Sequence, residues 1–208
     1  MSVDFAYMTR SVDAAFDLVV RDQRAWTKFD LTADGFYRSF AAMFVVLPLN
    51  IVIDLIANQV AVAERIRQGK PAVDAAYGFA DALFSTVALS VQWLLFPIAM
   101  IFLLRYLDLA QRYAALIIAH NWATVVIWLF YLPPFLLYAA GIISSSLAID
   151  LNLIILGLTL YYRFYIAQTA LGTTWLLAAG IAMIDFLLQA NFLFGLSQIA
   201  GLWVTDAT

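Results

Sequence analysis

The sequence predicts an all-α fold: a polytopic integral membrane helix bundle of about five transmembrane helices, preceded by an N-terminal amphipathic helix. Three observations lead there. Of 208 residues, 65% are hydrophobic and only 12% charged, about half the ~25% charge of ordinary soluble domains. Apolar runs of membrane-crossing length recur from residue 39 onward, and a hydrocarbon layer ~30 Å thick needs ~20 helical residues. No stretch shows the strict apolar–polar alternation of a strand.

Residues 1–38 form the one long polar stretch. Within it Val12, Phe16, Val19, Val20 and Trp26 recur at near-helical spacing opposite Asp13, Asp17, Arg21 and Arg24, the pattern of an amphipathic helix. Such a helix either lies on the membrane, docks a partner, or covers the cytoplasmic end of the bundle. Arg10, Arg21, Arg24, Lys28 and Arg38 leave no short apolar segment of the secretory type, so the first span is expected to act as the insertion signal.

The first span is expected over 39–58 and the second over 81–104, whose stretch 82–104 carries no charge. From 113 to 149 the only titratable side chain besides tyrosine is His120, and the run holds Pro133 and Pro134. Two consecutive prolines remove two backbone donors. The third span is therefore read as 113–132, or as bent and continuing to 140, with a turn over 141–146; a re-entrant segment is the alternative. Pro48 and Pro97 mark further kinks. The fourth span covers 147–168, with Tyr161, Tyr162 and Tyr165 as an interfacial aromatic belt and Arg163 as a snorkelling cation. Gly172, Thr173 and Thr174 supply a turn, and the fifth span follows over 174–196. The chain thus divides into 1–38, a single transmembrane domain 39–203 and a tail 204–208.

Lys and Arg are retained in cytoplasmic connections. Five lie in the N-terminal segment, Arg105 and Arg112 follow the second span, and Arg163 ends the fourth, against Arg65, Arg67 and Lys70 on the other side. The N-terminus is expected in the cytoplasm and, with five spans, the C-terminus outside. The Ala/Leu-rich style suggests the inner membrane of a bacterium.

Polar groups inside apolar spans are costly, so each is a candidate for function. Asn50, Asp54 and Asn58 share one face of the first span, as do Asp81, Ser85 and Gln92 in the second. In the fifth, Ala178, Ala182, Asp185 and Gln189 line one side, and small residues there permit close helix approach. With that helix centred near residue 185, Asp185 sits near the bilayer middle, whereas Asp54, Asp81 and Asp150 fall near outer ends. Asp185 is expected either to carry protons or to be hydrogen-bonded to His120, Asn121, Gln92 or another helix's backbone. The candidate polar site is thus Asp185, His120, Asn121, Asp54, Asn50, Gln92 and Gln189.

Much chemistry is excluded. The chain has no cysteine and one histidine, too few for a Cys or His metal centre or for bis-histidine haem. No metal or other cofactor is expected. Neither a GxxxxGK[ST] nor a GxGxxG loop is present. Ser197 in Gly195-Leu196-Ser197-Gln198 lacks the second glycine of a nucleophile elbow, and its expected side of the membrane is opposite that of His120. A net charge of −3 argues against a nucleic-acid partner. Without a convergent acid, base and nucleophile, an enzyme is the least supported class.

The Gly35-Phe36-Tyr37-Arg38 lead-in to the first span, the Pro133-Pro134 pair and the layout of a polar N-terminal segment with five closely spaced spans resemble the Yip1-like family of small polytopic proteins. That resemblance implies a membrane-shaping, scaffold or assembly role. The first functional expectation is therefore a non-enzymatic scaffold, assembly factor or accessory subunit with a membrane-protein partner or a second copy of itself. The alternative is a small oligomeric transporter or channel using the intramembrane Asp, His and Asn groups.

Overall fold

The structure, a computed structural model, describes residues 5–70 and 78–205, with side chains described as far as residue 192. It contains α1 (Phe5–Val19), α2 (Ala25–Lys28), α3 (Ala33–Ser39), α4 (Ala42–Arg67), α5 (Phe79–Tyr106), a 3-10 turn (Ala110–Arg112), α6 (Tyr113–Ala139), α7 (Ser145–Leu171) and α8 (Trp175–Thr205). Among the described residues there is no strand, and five helical stretches are long and apolar enough to cross a membrane. The protein is an all-α membrane helix bundle. Ser197, Trp203 and Asp206 lie outside the described side chains.

The central column is α6. Leu116, Ile117, Ile118, Ala119, Asn121, Trp122, Ala123 and Val126 are each at most 2% exposed, so this helix is enclosed on all sides over that stretch, as an all-round apolar sequence requires, while Phe130, Leu136 and Leu137 beyond it are exposed. Around it stand α4, α7, α1, α3 and α5. The third and fourth membrane helices meet at a turn where Gly141 adopts φ 71° and the Ser144 hydroxyl accepts from the Leu147 amide at 3.2 Å. The link from α7 to α8 is tighter still. Gly172 there takes the left-handed conformation, φ 60°, that ends a helix without a Cβ penalty.

Pro133 and Pro134 lie inside α6, which continues unbroken to Ala139, and Pro48 and Pro97 lie inside α4 and α5. The proline pair is neither the turn nor a re-entrant segment; the chain reverses at Gly141. Each proline withholds one amide from the carbonyl four residues earlier, a loss one helix can carry when neighbouring helices support it.

The N-terminal segment departs from expectation in its buried face. Tyr7, Ser11, Ala14, Ala15 and Leu18 are buried on α1, while Phe16 is 38% and Val20 74% exposed. The apolar stripe Val12, Phe16, Val19 is offset from this face by one residue, ~100° around the helix. Small side chains and hydroxyls make the real interface. Ala14 and Ala15 allow close approach, the Tyr7 ring meets Trp122 edge-on at 5.6 Å, and the Tyr162 hydroxyl donates to the Ala15 carbonyl at 2.6 Å. With Tyr7 against Trp122 and Phe16 against Phe130 (6.1 Å), α1 lies along the flank of α6 instead of across its end.

A polar turn secures the next segment. The Asp30 carboxylate accepts from the Thr32 hydroxyl at 2.6 Å and the Thr32 amide at 3.1 Å, and pairs with Arg38, whose guanidinium lies 4.5 Å over the Tyr7 ring. These contacts, the Thr32 hydroxyl first, hold the Asp30 carboxyl below its ordinary value. A depressed carboxylate stabilises the fold above its unfolded value of about 3.9 and ceases to as pH falls through the lower folded value. Protection of residues 30–39 from hydrogen exchange, relative to the unstructured-chain rate at each pH, is therefore expected to hold down to about pH 4 and to fall below it, and Asp30→Asn should lower it at neutral pH. An Asn variant with parental exchange would contradict the assignment.

Candidate functional site

Of the polar groups singled out in the sequence, most come together around one cavity. It has a volume of about 590 Å³ and is lined from all five long helices, with Asp54 from α4, Gln92 from α5, His120 from α6, Arg163 from α7 and Asp185 from α8. Small-molecule sites commonly occupy ~300–1,000 Å³ and are mainly apolar with a few convergent polar groups. Phe84, Trp128, Tyr131 and Phe186 supply apolar wall here.

At one part of the cavity stands an ion pair. Arg163 Nε lies 3.4 Å from Asp185 Oδ2, with side-chain exposures of 7% and 4%. Arg163 Nη1 donates to the His120 carbonyl at 2.9 Å and Nη2 to the Thr124 hydroxyl at 2.7 Å, and Gln189 Nε2 donates to Asp185 Oδ1 at 2.9 Å. Arg163 Nε itself makes no hydrogen bond. The partner of Asp185 is thus Arg163, and not His120, Asn121 or Gln92. Arg163 does not snorkel: α7 continues to Leu171, which places Arg163 two turns inside the helix, and it turns inward. Nor do its tyrosine neighbours form a belt at the interface. Tyr162 and Tyr165 are buried under the N-terminal segment, where the Tyr165 hydroxyl donates to the Arg21 carbonyl at 3.3 Å and the Arg21 guanidinium sits over Tyr161 and Tyr165 at 5.3 and 5.2 Å.

A second polar cluster joins α4 to α5. Asn50 Nδ2 donates to Asp54 Oδ2 at 2.8 Å and to Ser85 Oγ at 2.5 Å, and the Ser85 hydroxyl donates to the same carboxylate oxygen. Helix lengths move Asp54 away from the outer end where it was expected. Because α4 runs from Ala42 to Arg67, Asp54 lies at its middle, and Asp185 lies near the middle of the membrane-length apolar stretch Trp175–Phe192 of α8. The apolar run in α4 ends before Glu64, but the helix does not: it continues a further turn to Arg67, where an i,i+3 pair joins Arg67 Nη2 to Glu64 Oε1 at 2.5 Å.

His120 and Asn121 are parted by the helix. Asn121 is fully buried away from the cavity, accepting from Trp93 Nε1 at 3.1 Å and donating to Ser39 Oγ at 2.9 Å, and so pins α5 and α3 to α6. His120 is 8% exposed, stacks on Phe96 at 4.1 Å with planes 13° apart, and lines the cavity with no protein partner for its ring nitrogens. Ser85, placed on the polar face of the second span but not in the candidate site, and Arg163, read as an interfacial cation, both join the site. Among the described residues no group of three or more His, Asp or Glu could hold a metal ion. Comparison of the chain with protein-family models, with curated proteins and with solved structures finds no match.

Proposed function

We propose that this chain is a small membrane transporter or channel subunit that admits a solute into the cavity between its five long helices. The observation carrying this reading is the cavity itself: polar side chains from five helices face one space large enough for a small molecule. A structural core would fill such a volume, since interiors pack with few voids larger than a water. The scaffold, assembly-factor or accessory-subunit reading, with the Yip1-like resemblance behind it, relies on small and polar faces left free for a partner. Ala178, Ala182 and Asn121 are instead buried within this one chain, which favours transport. A homo-oligomer is the assembly we infer for so small a carrier.

Solute flux into proteoliposomes tests the reading. Ala88 lines the cavity beside Ser85, and Ala88→Phe, which fills the space without touching a charge, is expected to cut flux about tenfold or more, the scale of a clash worth ~1–3 kcal/mol. Flux that ignores this plug, or no flux across a panel of cationic, neutral and anionic solutes, would sink it.

We place the protein in a bacterial inner membrane with its N-terminus in the cytoplasm. With Arg163 withdrawn from the connecting segments, seven Lys and Arg on the N-terminal side still outnumber Arg65, Arg67 and Lys70. Alkaline phosphatase fused after Thr208 is expected to be active and the same enzyme fused at Asp108 inactive; the reverse pattern overturns the orientation.

A further inference from the structure

We infer that the cavity takes an amphiphilic organic cation, an ammonium group carried on an aromatic or alkyl body, with Asp54 as its counter-ion. This deepens the proposed function and rests on it.

The first support is the charge inventory. The cavity is lined by two carboxylates, Asp54 and Asp185, and one guanidinium, Arg163. Arg163 is taken by Asp185. No Lys, Arg or His pairs with Asp54 among the described residues, whose partners there are Asn50 and Ser85 alone. Both are donors aimed at Oδ2, and with that carboxyl ionised the cavity holds one negative charge more than its own side chains neutralise. A carboxylate without a cationic partner is a place for an opposite charge, and Arg163, the cation lining the same cavity, is already held by Asp185.

The second support is independent of charge. His120 is more than nine-tenths buried, lines the cavity, and makes no hydrogen bond through its ring nitrogens among the described residues. Gln92 on α5 also lines the space and makes no hydrogen bond among the described residues. An imidazole nitrogen and an amide oxygen are acceptors for the N–H groups of an ammonium, while Phe84, Trp128 and Tyr131 offer π faces that attract a cation and cover its apolar body. A bare metal ion fits less well, because hard cations require about six oxygen ligands and no three acidic or histidine side chains converge.

The test uses the full chain in nanodiscs and three matched probes: 2-(1-naphthyl)ethylammonium, its neutral N-acetyl derivative, and 3-(1-naphthyl)propionate, each titrated by fluorescence. The expected result is preference for the ammonium by about tenfold or more, lost in Asp54→Asn, restored in Asp54→Glu, and abolished for every probe by Ala88→Phe. If Asp54→Asn does not fold, the probe preference of the parent and of Asp54→Glu still decides. Equal or tighter binding of the neutral or anionic probe, still blocked by Ala88→Phe, overturns the cation and leaves the transport reading standing. Binding of none of the three, or binding that Ala88→Phe does not change, overturns both.

Discussion

Replacing Arg163 with alanine is expected to destabilise the bundle by about 3–5 kcal/mol, the scale for removing one partner of a buried ion pair. Asp185 would keep only the Gln189 amide, and the His120 carbonyl and Thr124 hydroxyl would each lose a guanidinium donor. What makes the loss large is the charge left behind with little access to water, at 4% side-chain exposure, more than the attraction forgone. The pair as a whole is a different matter. Because both charges gave up hydration on folding, Arg163→Met combined with Asp185→Leu should recover most of the stability. Reversible unfolding in mixed detergent and dodecyl sulfate measures both variants. A single variant as stable as the parent, or a double variant worse than either single one, would show that the pair does not hold α7 to α8.

Gly35→Ala is expected to cost about 3 kcal/mol, the upper range for forced overpacking, and to free the N-terminal segment from the bundle. A Cβ on Gly35 would stand 1.9 Å from the Asp30 carbonyl oxygen and 2.6 Å from Asp30 Cγ. The first of these is backbone, which no rotamer change can move aside. The turn would have to open, and with it the Thr32 cap on the Gly35 amide, the Asp30–Arg38 pair and the hydrogen bond from the Tyr7 hydroxyl to the Gly35 carbonyl. Limited proteolysis between residues 20 and 40 should rise sharply. Gly157→Ala is the control: an added Cβ there meets nothing within 4 Å, and in a helix interior alanine gains roughly 0.5–1 kcal/mol over glycine. Equal behaviour of the two variants would contradict the close approach at Gly35.

The membrane bundle and its five long helices were legible because spans are written in composition and length, and the bilayer sets both. The pairing of Arg163 was not. A cation flanked by Tyr161, Tyr162 and Tyr165 is the composition of an interfacial belt and equally of a buried latch, and only the extension of α7 to Leu171 separates the two. One signal was available: an arginine two turns inside an otherwise apolar helix and an aspartate two to three turns inside the next lie at matching depths across the Gly172 turn. The face of α1 was misread because Ser11, Ala14 and Ala15 score as weakly apolar, although small residues are what close packing selects. The depth of Asp54 was misjudged because the polar residues after Asn58 looked like the end of a helix, whereas an exposed ion pair prolonged it.

The ties that hold α1 span nearly the whole polypeptide. Its hydrogen bond with Tyr162 joins positions 147 residues apart, and those from Trp122 and Tyr165 reach back 115 and 144. A ribosome adding ~5–20 residues each second needs roughly 7–30 s to cross the longest of these distances. During that interval the helix made first has no α6 or α7 to receive Tyr7, Ala14 and Leu18, and the bilayer surface is the nearest cover for an amphipathic stretch. The N-terminal segment thus docks only after α6 and α7, both made later than itself, are in place.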